Sequence, residues 1–101
     1  MFSLIYVDDE PTLLDIGKLF LEHDRRFSVE TFTSATEALE ILGSRQYDAI
    51  ISDYQMPEMD GIEFLKRVRA SGNTVPFIIF TGRGREEIVI QALNEGADFY
   101  I

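Results

Sequence analysis

At 101 residues the chain has room for one small domain. Its 46% hydrophobic and 27% charged residues suit a folded globular unit and exclude intrinsic disorder. Eighteen acidic against nine basic residues give a net charge of −9, which repels nucleic-acid phosphate and suits a cation or a basic partner.

Phe2 to Val7 is a compact apolar run that reads as a strand. It lacks a basic start and runs into Asp8-Asp9-Glu10-Pro11, so it is not a signal peptide. No apolar run approaches the ~18 residues of a membrane helix, and a reducing cytoplasm is the expected compartment. Pro11 suits a helix start, after which Leu13, Ile16 and Phe20 recur at helical spacing. Phe27 to Phe32 alternates, with Phe27, Val29 and Thr31 on one side, and reads as a half-exposed edge strand. Thr33 or Ser34 caps a second helix carrying Ala35, Ala38, Leu39 and Leu42, which stops at Gly43. Ala49 to Ser52 is a buried third strand. Asp60 or Gly61 opens a third helix with Ile62, Leu65 and Val68 inward, ended by Ser71-Gly72-Asn73. Val75 to Phe80 is the fourth strand, with Pro76 acceptable near its start. Arg85 to Glu95 is a fourth helix closed by Gly96, and Asp98 to Ile101 starts a fifth strand.

Such β-α alternation predicts a parallel sheet with helices on both faces. Apolar first, third and fourth strands and an alternating second one fit the doubly wound order 2-1-3-4-5. An open parallel sheet needs cover on both faces, so the expectation is that a fifth helix follows Ile101 and that residues 1–101 are a C-terminally incomplete domain.

Ligands of such sheets bind beyond the carboxyl ends of the strands, at the switch point between strands one and three. That topology brings Asp8, Asp9, Asp53 and Thr81 to one rim. Clustered carboxylates repel one another and raise their pKa values unless a positive charge sits among them. A hard divalent cation such as Mg²⁺ answers that need, with oxygen ligands. Without Cys, and with His23 as the one histidine, thiolate and multi-histidine metal sites, disulfides and cysteine nucleophiles are excluded. The remaining parts suit phosphoryl chemistry, with one carboxylate as nucleophile. His23, beside Arg25 and Arg26 at a helix end, complements the helix dipole and is not a phosphodonor. Taken singly, Asp8-Asp9 reads equally well as a helix cap, whereas Asp53 reads better as a turn residue and Thr81 as a strand end or N-cap; the site reading comes from their meeting at neighbouring strand ends.

Val7-Asp8-Asp9-Glu10-Pro11, Asp53-Tyr54-Gln55-Met56-Pro57-Glu58-Met59-Asp60-Gly61, Phe80-Thr81-Gly82 and Gly96-Ala97-Asp98-Phe99-Tyr100-Ile101 together resemble the receiver domain of two-component response regulators. The resemblance implies a flavodoxin-like fold and a phosphorelay role, with phosphoryl transfer from a histidine kinase or phosphotransfer domain. It makes Asp53 the phosphoacceptor, with Mg²⁺ held by Asp9 directly, Asp8 through water, Asp53 and the Gln55 backbone carbonyl. Thr81 becomes the switch hydroxyl and Tyr100 the switch aromatic. Pro57, Gly61 and Gly82 shape the surrounding loops, Gly61 by supplying dihedrals that other residues resist. Such a domain catalyses its own phosphotransfer and autodephosphorylation without being a stand-alone turnover enzyme. Its output surface, and a possible dimer contact, would be helix four with strand five. Receivers also carry a lysine shortly after the fifth strand, and that position lies past Ile101. The string Thr81 to Glu87 is similar to receivers of archaeal sensor kinases, fused to PAS and kinase domains. Its paired Gly and Arg residues also read as a flexible loop before a capped helix.

Other readings fit part of the pattern. An aspartyl-phosphate phosphatase wants a second acid two residues after the nucleophile, where this chain has Gln55. A receiver-like interaction module independent of phosphorylation needs no lysine, but it leaves Asp8, Asp9, Asp53 and Thr81 without a role. A flavin carrier is disfavoured by the acidic loop after the first strand.

Overall fold

The structure, a computed structural model, describes residues 1–80 and 86–100, with backbone alone at 86–89, 99 and 100. Among the described residues five strands and four helices alternate: β1 (Phe2–Val7), α1 (Pro11–Glu22), β2 (Phe27–Phe32), α2 (Ala35–Leu42), β3 (Ala49–Asp53), α3 (Gly61–Ala70), β4 (Phe77–Phe80), α4 (Glu86–Asn94) and β5 (Phe99–Tyr100). The strands form one parallel sheet in the order β2-β1-β3-β4-β5, the doubly wound order expected from the pattern. Parallel pairing sets Val7 beside Ser52 and Asp53 beside Phe80, which levels the carboxyl ends of the three central strands.

Alternation along each strand divides the apolar residues between two faces. Ile5, Val7, Ile50, Phe77 and Ile79 are fully buried and pack with Ala35 and Ala38 of α2 and with Ile62, Phe64, Leu65 and Val68 of α3. Phe64 meets Phe77 edge to face, with ring centroids 5.3 Å apart. Burying side chains of this size contributes roughly 1.5–3 kcal/mol each. Leu4 and Tyr6 point to the other face, where α1 lies.

The residues that recur at helical spacing in α1 do not face the sheet. Leu13, Ile16 and Phe20 are 45%, 58% and 81% exposed, and Leu14 is the buried residue of this helix. The cause is Tyr6: its ring fills the notch at Gly17, where a Cβ would come within 2.3 Å of the ring. The helix is therefore rotated to place Gly17 and Leu14, not Leu13 and Ile16, over the sheet.

Local signals explain the helix boundaries. Pro11 occupies the first turn of α1. Ser34 caps α2 by accepting from the Thr36 N–H (3.2 Å), and Asp60 caps α3 by accepting from the Glu63 N–H (2.8 Å). Gly72 and Gly96, with φ of 85° and 98°, reverse the chain after α3 and α4. The fourth strand starts at Phe77 rather than Val75, yet the Pro76 carbonyl still accepts from the Ile50 N–H (2.8 Å). The expected start of the fourth helix at Arg85 and the expected end of the fifth strand at Ile101 lie outside the described residues. Among the described residues no helix is long and apolar enough to cross a membrane.

Candidate functional site

Three strand ends build the rim. β1 delivers Asp8 and Asp9, and β3 ends at Asp53. One carboxylate oxygen from each of Asp8, Asp9 and Asp53 lies within 4.8 Å of the other two. Asp8 is buried at 1% exposure, Asp53 is half-buried and Asp9 is exposed, so the cluster opens outward. Asp8 is fixed on one side only: its N–H donates to Phe32 O (3.1 Å), and its Oδ1 accepts from the Glu10 N–H (3.0 Å). Its Oδ2 is buried and has no hydrogen-bond partner among the described residues.

The electrostatics follow from this crowding. Burial, then the Asp8 charge, push the Asp53 carboxyl up to about 6, against the pull of the Tyr54 and Gln55 backbone N–H groups. Burial likewise raises Asp8, with the charges of Asp9 and Glu10 adding to it. Tyr6 is raised by burial and by the charges of Asp8 and Asp53, which puts the rim's field on its phenol.

An unpartnered buried carboxylate oxygen in a set of hard oxygen donors fits a Mg²⁺ ion. Asp8, Asp9 and Asp53 are the residues that could hold it. Asp9 and Gln55 also line an open cleft of about 400 Å³ with Tyr54, Met56, Pro57 and Asp60. A ligand larger than a single ion thus has room beside the carboxylates.

The loop after Asp53 is held by α3. The Gly61 N–H donates to Tyr54 O (2.8 Å), and a Cβ at Gly61 would stand 2.5 Å from Asp53 O. Gly61 is therefore required by close approach of helix to strand end. The dihedral reason expected from the sequence is wrong, because the left-handed conformation falls on Glu58, with φ of 70°, and not on Gly61. Pro57 is exposed in this loop, and its carbonyl accepts from the Met59 N–H (2.8 Å). Thr81 and Gly82 lie outside the described residues; Tyr100 pairs with Ile79 in β5, and its side chain is not described.

Sequence reasoning missed Ser52. It is fully buried, and its Oγ donates to Asp53 O (2.9 Å), fixing the backbone that carries the carboxylate. A serine inside an otherwise apolar strand was the available signal.

A doubly wound parallel sheet with three carboxylates at its switch point defines an acidic α/β module. Residues 4–101 match the family model described as the response regulator receiver domain, and the chain belongs to that family. It is 36% identical over 101 residues to the response regulator SaeR of Staphylococcus aureus strain USA300, covering 100% of this chain and 43% of SaeR. The chain thus spans less than half the length of the curated relatives it matches. A Francisella response regulator receiver domain superposes with a TM-score of 0.93 at 28% identity, over 100% of this chain and 83% of that one. A response regulator receiver domain protein from Clostridium thermocellum gives 0.91 at 33% identity, over 100% and 81%.

Proposed function

We propose that this domain is the phosphoacceptor of a two-component phosphorelay, with Asp53 receiving the phosphoryl group. The observation that carries this reading is the rim itself: three carboxylates within reach of one cation, one of them holding an unpartnered buried oxygen. The donor is a phosphohistidine on a histidine kinase or phosphotransfer domain. A carboxylate oxygen of Asp53 attacks phosphorus, the P–O bond forms, the P–N bond breaks, and the histidine nitrogen regains a proton from solvent.

Each residue has a task in this step. Asp53 must be ionised to attack, and a pKa of about 6 leaves it so in most molecules at neutral pH. The Ser52 hydroxyl and the Gly61 contact hold the backbone under it. Asp8, Asp9 and the Gln55 carbonyl, with Asp53, would hold Mg²⁺. When bound, the ion offsets the repulsion between the carboxylates and the incoming phosphoryl oxygens. Thr81 and Tyr100 take the switch positions, and α4 with β5 forms the surface read by a partner or a second copy.

This reading makes the domain a signalling component of the cytoplasm rather than a stand-alone enzyme, and it includes autodephosphorylation. A fused output, PAS or kinase domain is compatible with relatives more than twice as long. The −9 charge argues that this domain does not itself contact nucleic acid. The test is intact mass after incubation with Mg²⁺ and acetyl phosphate. One added phosphoryl group that requires Mg²⁺ and is absent from Asp53→Asn supports the assignment; equal labelling of Asp53→Asn overturns it.

A further inference from the structure

We propose that the left-handed turn at Glu58 positions the Gln55 carbonyl for the cation at the rim, through its backbone conformation and not through its carboxylate. This rests on the phosphoacceptor reading and adds a positioning residue to it.

Among the described residues Glu58 is the one residue other than glycine with a positive φ, 70°. The Met59 N–H donates to Pro57 O (2.8 Å), so Glu58 is the middle residue of a three-residue turn. With a positive φ at its centre this is the rare, strained form of that turn. An L-residue with a side chain resists such a conformation, and glycine does not. Strain of this kind persists only where the surroundings over-determine it, and it gathers at functional sites.

The surroundings are on hand. Both ends of loop 55–60 are fixed. The Tyr54 N–H donates to Phe80 O (2.9 Å), which ties the start of the loop to β4. The Gly61 N–H donates to Tyr54 O (2.8 Å), which brings the end of the loop back to its start. Met56 and Met59 are both partly buried and pack on the core, one on each side of the exposed pair Pro57-Glu58. The Asp60 side chain accepts from the Glu63 N–H (2.8 Å) and seats the loop on α3. The chain must therefore reverse between the two methionines. Pro57 cannot turn left-handed, because its ring holds φ near about −65°. Met56, as the residue before a proline, is biased toward extended backbone. The reversal falls on Glu58.

The reversal has a consequence for the rim. Gln55 and Met56 line the cleft with Asp9 on one side, and Asp60 lines it from the far end of the same loop. If residue 58 leaves the left-handed region, Met56 and Met59 cannot both keep their places. The backbone at Gln55, two bonds of chain away from the phosphoacceptor, then shifts against Asp9. The Glu58 side chain itself is exposed, so its conformation, not its charge, is what the loop uses.

The experiment compares wild type, Glu58→Gly, Glu58→Gln and Glu58→Val by calorimetric Mg²⁺ titration, with urea unfolding in a chelator alongside. Valine is β-branched and resists a positive φ most, so fewer molecules hold the binding-competent loop and the apparent Kd rises in proportion. Its Kd is expected to be at least fivefold weaker than that of the wild type. Glu58→Gly and Glu58→Gln should both bind within twofold of the wild type, although each lacks the carboxylate. In the chelator Glu58→Gly should be at least as stable as the wild type, where glycine at an ordinary loop position would cost stability. If Glu58→Val does not fold, Glu58→Thr carries the test. A Kd within twofold of wild type in the β-branched variant overturns the proposal. So does binding by Glu58→Gly or Glu58→Gln as weak as that of Glu58→Val, which would assign the effect to the carboxylate. A Glu58→Gly domain less stable than the wild type overturns it as well. If acetyl phosphate leaves Asp53 unlabelled and the wild type binds no Mg²⁺, the phosphoacceptor reading fails and takes this role with it. Labelled wild type, with an unaltered Kd in the β-branched variant, defeats the role of Glu58 alone.

Discussion

Replacing Asp53 by Asn should make the metal-free domain more stable at neutral pH. The Asp53 carboxyl is pushed from its ordinary value of 3.8 up to about 6, first by burial and then by the Asp8 charge. The folded state thus binds this proton more tightly than the unfolded chain does. Stability contributed by the neutral form is present at low pH, falls as pH rises between those two values, and is lost above about 6. At about 1.36 kcal/mol per unit, an unscreened shift of this size would cost about 3 kcal/mol. Asp53 is only partly buried, and solvent screening reduces the cost to about 1–2 kcal/mol. Asn carries no charge at any pH and escapes it. Urea unfolding in a chelator at pH 7.5 should therefore show Asp53→Asn to be more stable by about 1–2 kcal/mol, an advantage that disappears by pH 4. In thermal unfolding each kcal/mol corresponds to about 4–8 °C for a domain of this size. Mg²⁺ at ten times its Kd should return about 1.4 kcal/mol to the wild type and much less to the variant. Equal or lower stability of Asp53→Asn at pH 7.5, or an advantage that does not change with pH, would refute the argument that crowded carboxylates strain this rim.

Three further substitutions probe the scaffold. Phe64→Ala removes a fully buried ring packed on Phe77 and should cost about 3–5 kcal/mol in chemical denaturation; a loss below 1 kcal/mol would show that this contact is not central to the core. Gly61→Ala forces a methyl against Asp53 O and should cost about 1–3 kcal/mol while weakening Mg²⁺ binding in calorimetry; unchanged stability and affinity would show that the close approach does not constrain the rim. Asp60→Ala removes the cap on the Glu63 N–H and should cost about 1 kcal/mol of unfolding free energy; no measurable change would mean that solvent replaces the cap at no cost.

The parts of the molecule that were legible in the sequence are those fixed by topology. Once strand order is known, the residues at the ends of β1 and β3 must meet, so topology alone brings Asp8, Asp9 and Asp53 together. The edge position of β2 was legible because its residues alternate. The buried side of α1 was not, because Leu13, Leu14, Ile16, Leu19, Phe20 and Leu21 surround much of the helix and give more than one apolar stripe. The choice is made by Tyr6 at the Gly17 notch, a contact between two elements that no local period encodes. Gly61 was marked for the wrong reason on the same ground: steric contact with Asp53 O is tertiary, whereas a dihedral demand is local. Arg69 reads in sequence as an ordinary residue of a helix end, since its acceptors lie as far along the chain as Gly96.

The Glu22 carboxylate at the end of α1 has a role that concerns neither fold nor site. Its Oε2 accepts from the Val29 N–H at 2.9 Å, in the middle of the edge strand β2. An edge strand with free donors is a template on which another chain can build. A foreign strand approaching here would have to displace a carboxylate already seated on Val29. It would also meet Glu30, whose Oε1 is engaged by Arg45 at 3.2 Å and by the Tyr47 hydroxyl at 3.0 Å. The Val29 donor of this edge is thus already occupied within the chain, where an incoming strand would otherwise find it free.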